Sequence, residues 1–194
     1  MNSNNFNGRV IIFSAPSGAG KTSIVQSLLK DNLKLAFSIS ACTRKKRANE
    51  VHGEDYYFIS IEDFKNKISN QEFIEWEEVY ENNYYGTMKN EIQRIWKKQN
   101  HVLFDVDVIG GINLKKHFND KALSIFISPP SIDELKKRLI LRGSEDEEEI
   151  DKRVEKAVKE IKYASQFDKV IMNDNLVNAC EEAKKLIENF IINE

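Results

Sequence analysis

Residues 10–22 read Val10-Ile11-Ile12-Phe13-Ser14-Ala15-Pro16-Ser17-Gly18-Ala19-Gly20-Lys21-Thr22. The apolar run inside Arg9–Ser14 is short, continuous and β-branched, the pattern of a strand buried on both faces. Residues 20–30 then place Ile24, Val25, Leu28 and Leu29 on one helical face. A glycine-rich turn between a buried strand and a helix is the setting of a phosphate-binding P-loop. Gly18 and Gly20 let the backbone curl so that successive N–H groups face inward, next to the positive end of the helix. In such a loop Lys21 reaches the β- and γ-phosphates and the Thr22 hydroxyl ligates Mg²⁺. Ala15 stands where the pattern has its first glycine, so an ordinary backbone conformation is expected there. The loop announces a nucleoside triphosphate without saying what is done with it.

Outward from this stretch, Val102–Asp107, Leu123–Ser128 and Lys169–Asn173 also read as buried strands. Helical patterns cover 132–142, 146–164 and 177–192, the first opened by the capping-box signature Ser131-x-x-Glu134. Strands alternating with helices predict a parallel α/β sheet. Residues 37–87 break the rhythm. They hold Tyr56, Tyr57, Phe58, Phe73, Trp76, Tyr80, Tyr84 and Tyr85 among short strand-like runs, with one short helix near 61–68. The expected organisation is a core of 1–37 and 88–194, carrying a mostly β substrate-binding insert at 38–87. Residues 143–152 are polar and acidic and read as a mobile segment, or as a solvated helix start.

Composition narrows the function. The chain has 194 residues, 41% hydrophobic and 31% charged, with a net charge of −2. That excludes a disordered tail, and no apolar run approaches the ~18 residues of a spanning helix. Near-neutral charge argues against a general nucleic-acid or membrane-surface binder. Met1–Gly8 shows neither an apolar signal core nor an Arg-rich presequence. Cys42 and Cys180 make no metal spacing and are expected as free thiols in a reducing cytoplasm. His52, His101 and His117 form no ligand pattern.

Other residues carry chemistry with an alternative beside each. Asp105 ends an apolar run, where it could complete a Mg²⁺ shell or merely cap the following turn. Arg44 and Arg47 suit a second phosphate, gripped by guanidinium forks, yet the tract Arg44-Lys45-Lys46-Arg47 also reads as solvated surface. Arg138 and Arg142 are spaced i, i+4, and Arg153 lies beyond the acidic segment. The three could close over a transferring phosphoryl group, or form an ordinary helix face.

Taken together these residues resemble the guanylate kinase family over essentially the whole chain. The matching pieces are Ser14–Thr22; Phe37-Ser38-Ile39-Ser40 with Thr43-Arg44 and Arg47; Gly53-Glu54-Asp55-Tyr56; Phe73-Ile74-Glu75-Trp76; Tyr84-Tyr85-Gly86-Thr87; Asp105-Val106-Asp107; Pro129-Pro130-Ser131 with Arg138 and Arg142-Gly143; Arg153; and Asn173-Asp174. The resemblance implies a P-loop nucleoside-monophosphate kinase fold. That is a parallel five-stranded core flanked by helices, a mixed, mostly β GMP-binding insert, and a helical lid over about 138–160. It implies transfer of the γ-phosphoryl group of MgATP to GMP, in the cytoplasm, without nucleic acid or membrane, and admits a homodimer. Residues 15–22, with Asn173 near the adenine, are then the ATP site. Ser38, Glu75 and Asp107 read guanine, with Thr87 assisting; Arg44, Arg47, Tyr56 and Tyr85 hold its phosphate. Lys21, Arg44, Arg138, Arg142 and Arg153 are the implied catalytic cations. Thr22 and Asp105 are the implied Mg²⁺ residues.

Three departures from the family pattern are visible, the first being that Asp107-Val108-Ile109-Gly110-Gly111 lacks the usual Gln before Gly. Lys46 replaces a usual proline, and the loop Val79–Asn83 is one residue longer than the common form. Two other readings compete: a non-catalytic, guanylate-kinase-like phosphopeptide-binding module, and a kinase for another small phosphorylated acceptor. The intact Gly20-Lys21-Thr22 opposes the first, and Glu75 with Ser38 opposes the second.

Overall fold

The structure is a computed structural model that describes Phe6, residues 8–142 and residues 147–192. In chain order the elements are β1 (Val10–Ser14), α1 (Lys21–Leu29), β2 (Leu35–Phe37), β3 (Ala41–Cys42), β4 (Tyr57–Phe58), α2 (Ile61–Ser69), β5 (Phe73–Tyr80) and β6 (Asn83–Met88). There follow α3 (Lys89–Lys97), β7 (His101–Asp105), α4 (Val108–Phe118), β8 (Ala122–Ser128), α5 (Ile132–Arg142), α6 (Glu147–Ile161), β9 (Lys169–Met172) and α7 (Leu176–Ile192).

Five strands form one sheet in the order β2-β7-β1-β8-β9, and every pair in it is parallel. β1 lies at the centre with all five residues buried. Its alternation divides the core. Ile11 and Phe13 pack with α1 and α7 through Ile24, Leu28, Ala183 and Ile187. Val10 and Ile12 pack on the other face with Ile92, Ile95 and Leu114 of α3 and α4. Each of these Val, Ile, Leu and Phe side chains stabilises the fold by about 1.5–3 kcal/mol through its burial. This double cover is why the central strands read as unbroken apolar runs.

A second, four-stranded sheet has the order β4-β3-β6-β5. It is mixed: β3 runs parallel to β4 and antiparallel to β6, which pairs antiparallel with β5. Phe64 of α2 seals it, stacking on Phe73 at 4.4 Å between ring centroids. α2 starts where Ser60 Oγ accepts from Asp63 N, at 3.0 Å.

Several elements differ from the sequence reading. β2 is a three-residue edge strand, too short to announce itself. α3 and α4 were not foreseen, and Gly110-Gly111 inside α4 weakens its helical signal. The strand expected to reach Asp107 stops at Asp105, because the Asp107 side chain accepts from Gly110 N (2.7 Å) and caps α4. The acidic segment read as mobile is helical from Glu147 onward. Glu147, Glu148 and Glu149 occupy the first turn of α6, where the helix dipole favours them; residues 143–146 lie outside the described residues. Among the described residues no helix is long and apolar enough to cross a membrane.

Candidate active site

The carboxyl ends of β1 and β7 lie side by side, with Phe13 opposite Asp105. The chain leaves β1 toward β2 and leaves β7 in the opposite direction, toward β8. That reversal opens a crevice at the strand ends, where ligands bind in open α/β sheets. A cleft of about 540 Å³ opens there, between residues 15–23 on one side and β5–β6 on the other.

On the first wall, Gly18 (φ 90°) and Gly20 (φ 92°) are left-handed, so glycine is required at both positions. Ala15 is not among the positive-φ residues, as its Cβ demands. Asn173, just past β9, donates from Nδ2 to the Ala19 carbonyl at 2.7 Å. A Cβ at Gly20 would come within 2.2 Å of that same nitrogen. Asn173 is therefore a buried brace beneath the loop. From α6, Arg153 donates to Ser17 Oγ at 2.7 Å. From α5, Arg138 donates to the Asn173 carbonyl at 3.1 Å and pairs with Glu134. Lys21, the first residue of α1, is ion-paired with Asp105 and donates to the Val106 carbonyl at 2.8 Å. Among the described residues no group of three or more His, Cys, Asp or Glu could hold a metal ion.

On the second wall, Glu75 on β5 sits opposite Thr87 on β6, whose hydroxyl donates to Glu75 Oε1 at 2.8 Å. Burial pushes the Glu75 carboxyl up to about 7, and the nearby Asp107 charge adds to the rise against the Thr87 hydrogen bond. A Cβ at Gly110 would lie 3.2 Å from Glu75 Oε2 and 3.3 Å from Asp107 Oδ1. That glycine lets the helix start approach both carboxylates. The Ser38 hydroxyl is buried without a hydrogen-bond partner, a costly state unless something supplies one.

Beyond them, Arg44 lies over the Tyr56 ring at 4.9 Å, and Tyr56 meets Tyr85 edge-on at 6.0 Å. Both outer nitrogens of Arg44 reach Glu50, at 2.6 and 2.5 Å, and Glu50 also accepts from Arg47 N at 2.8 Å. This fork holds the Glu50 carboxyl down at about 2. Burial, with Asp105 nearby, pushes the Tyr56 hydroxyl up to about 12, so it stays a donor at neutral pH.

Of the residues expected from sequence, Ala15, Pro16, Ser17, Gly18, Gly20, Lys21, Thr22, Tyr56, Glu75, Tyr85, Asp105, Asp107, Arg138 and Arg153 line the cleft. Ala19, Ser38, Arg44, Arg47, Thr87 and Asn173 stand behind or beside that lining. The Arg142 side chain lies outside the described residues. Sequence reasoning missed Glu50, Glu77, Gly110, Lys156 and Glu160. Lys156 and Glu160 sit three and seven residues after Arg153, all three lining the cleft. That helical spacing was a usable signal. Glu50, a carboxylate three residues after the basic tract, offered a weaker one.

Comparison with known proteins points to one family. The family model described as guanylate kinase matches residues 7–190. A guanylate kinase of Bacteroides fragilis is 50% identical over 183 residues, covering 94% of this chain and 90% of the relative. That of Porphyromonas gingivalis is 50% identical over 184 residues, covering 94% and 98%. The crystal structure of guanylate kinase from Anaplasma phagocytophilum superposes with a TM-score of 0.76 at 27% identity, over 94% of this chain and 85% of that one. A match of this extent in sequence and in fold makes the chain a member of the guanylate kinase family.

Proposed function

We propose that the protein transfers the γ-phosphoryl group of MgATP to GMP, giving ADP and GDP. The observation that carries this reading is one cleft with a P-loop on one wall and the buried Glu75–Thr87 pair on the other. Guanine presents N1–H and N2–H₂ as adjacent donors, which one carboxylate accepts together. Thr87 holds Glu75 in place for them. The unpartnered Ser38 hydroxyl suits the O6 acceptor. Adenine lacks the donor pair and would leave the buried carboxylate unmatched, the kind of mismatch that discriminates strongly.

The reaction needs no general base. The second pKa of a phosphate monoester is ~6, so the acceptor is already largely a dianion at pH 7. The difficulty is to bring two anionic groups into line, and catalysis is therefore positioning and positive charge. Lys21 and the P-loop amides take the β- and γ-phosphates. Arg44, Arg47, Tyr56 and Tyr85 take the acceptor phosphate. Arg138 and Arg153 line the cleft and can face the transferring group from the lid side and exclude water, a task that the family resemblance extends to Arg142. The Thr22 hydroxyl and the Asp105 carboxylate are hard oxygen donors at the loop, a set that fits Mg²⁺ shared with the phosphates. When bound, the ion would supply positive charge against the phosphates of ATP. In this reading residues 38–87 are the acceptor-binding module and about 138–160 the lid. A cytoplasmic setting fits the two free cysteines.

The test is ADP release with MgATP and each of GMP, AMP, CMP and UMP at equal concentration. Turnover with GMP alone is expected. GMP binding without turnover would support the phosphopeptide-module reading. Turnover with a different acceptor would remove the roles given to Ser38 and Glu75.

A further inference from the structure

We infer that Glu77 accepts a hydrogen bond from a ribose hydroxyl of the acceptor, and so makes the enzyme prefer the ribonucleotide over its deoxy analogues. This rests on reading the cleft as a GMP site. Side chains alternate along β5, and Glu75 and Glu77 both line the cleft while Trp76 between them does not. The strand register then places two pairs at successive levels, Glu75 opposite Thr87 and Glu77 opposite Tyr85. Two residues along a strand is roughly 7 Å, about the step from a base to its sugar.

The first level is the base-reading pair. At the second level Tyr85 leans toward Tyr56, on the β3–β4 side of the sheet, and Arg44 lies over Tyr56. The phosphate clamp is thus built away from β5. Glu77 occupies the opposite flank of that level, on the edge strand, where a nucleotide running from base to phosphate must pass its sugar.

Its chemistry fits a neutral donor. Glu75 accepts from Thr87 and Glu78 from Asn82 N, but the Glu77 carboxylate makes no hydrogen bond or ion pair among the described residues. Partial burial and the Asp107 charge both act against its ionised form. A phosphate oxygen would add to that repulsion. A hydroxyl donates to the carboxylate without adding charge, and a hydrogen bond to a charged acceptor is worth more than a neutral one.

The experiment compares kcat/KM for GMP, 2′-deoxy-GMP and 3′-deoxy-GMP in the wild type, Glu77→Ala and Glu77→Gln. The expected result is a wild-type preference for GMP over at least one deoxy analogue that falls about tenfold in Glu77→Ala, through KM for the acceptor. Glu77→Gln keeps an acceptor oxygen and should retain part of the preference. A merely structural role would lower all three acceptors alike and leave their ratios unmoved; that outcome overturns the inference. So does an effect confined to KM for ATP, which would place Glu77 with the lid. If the wild type fails to phosphorylate GMP at all, the proposed function itself is lost. Normal GMP turnover with hydroxyl-blind variants removes only the role of Glu77.

Discussion

The two walls of the cleft use different parts of the chain. The P-loop wall works with backbone. Gly18 and Gly20 bend it, Asn173 braces it from beneath, and it rises from a strand with no exposed residue. The acceptor wall works with side chains. Glu75 projects from β5, Thr87 and Tyr85 project from β6, and Arg44 and Tyr56 come from the loop between the two-residue strands β3 and β4. A phosphate chain is the same in every nucleoside triphosphate, so fixed amide dipoles suffice for it. A base differs from its rivals only by where donors and acceptors stand. Discrimination therefore needs individual buried groups that suffer when mismatched.

This contrast can be broken most severely at Lys21. Lys21→Ala should lower kcat by about 10²–10³-fold, the usual loss when one preorganised electrostatic contact is removed. GMP affinity should hardly move, because the acceptor wall is independent of the loop. Stopped-flow or coupled kinetics at saturating GMP would check it, and an unchanged kcat would remove Lys21 from the donor site.

On the other wall, Glu75→Gln should lower kcat/KM for GMP by about tenfold to a hundredfold while leaving KM for ATP intact. It should also stabilise the protein. The folded-state carboxyl titrates at about 7 against an ordinary 4.5, so the folded form binds the proton more tightly. Its cost to stability builds as pH rises from 4.5 to 7 and is complete above that. The ceiling is about 3 kcal/mol at 1.36 kcal/mol per pKa unit. The variant should melt higher than wild type at pH 8 and equally at pH 4. Wild-type GMP affinity should in turn fall more steeply than the variant's as pH drops through 7, because Glu75 and the acceptor phosphate (second pKa ~6) both take up protons in the wild type and only the phosphate does in the variant. Equal melting at pH 8 would contradict the burial of a charge there.

The smallest effect sharpens the picture of the loop. Asn173→Ala leaves the Ala19 carbonyl without its donor, and should cost about 1–3 kcal/mol in chemical denaturation. It should raise KM for ATP more than KM for GMP. The reverse order would mean that Asn173 serves the acceptor.

The P-loop was legible because strand, turn and helix are contiguous, and each residue's task follows from its neighbours. The double-sided burial of β1 could be read for the same reason. Asn173 shows the limit. Its identity as a site residue could be had from resemblance, but not its place under Ala19, because the two are 154 positions apart. Glu50 was missed because its partner Arg44 looked complete as a phosphate ligand. α4 was missed because Gly110, needed for the close approach to Glu75, is a poor helix former. In each case a tertiary contact overrides what local pattern suggests.

The brace between Ala19 and Asn173, with Arg153 on Ser17, has a consequence for how the protein is made. The loop emerges from the ribosome first, but the groups that hold its shape emerge 136 and 154 residues later. Long-range contacts of this kind form late, after most of the chain entropy has been spent. ATP should accordingly protect the finished molecule from proteolysis and leave a nascent chain ending at Asp168 unprotected. Protection of that truncated chain by MgATP would show that the loop closes without its brace. On the present geometry, nucleotide rewards completed synthesis and does not template it.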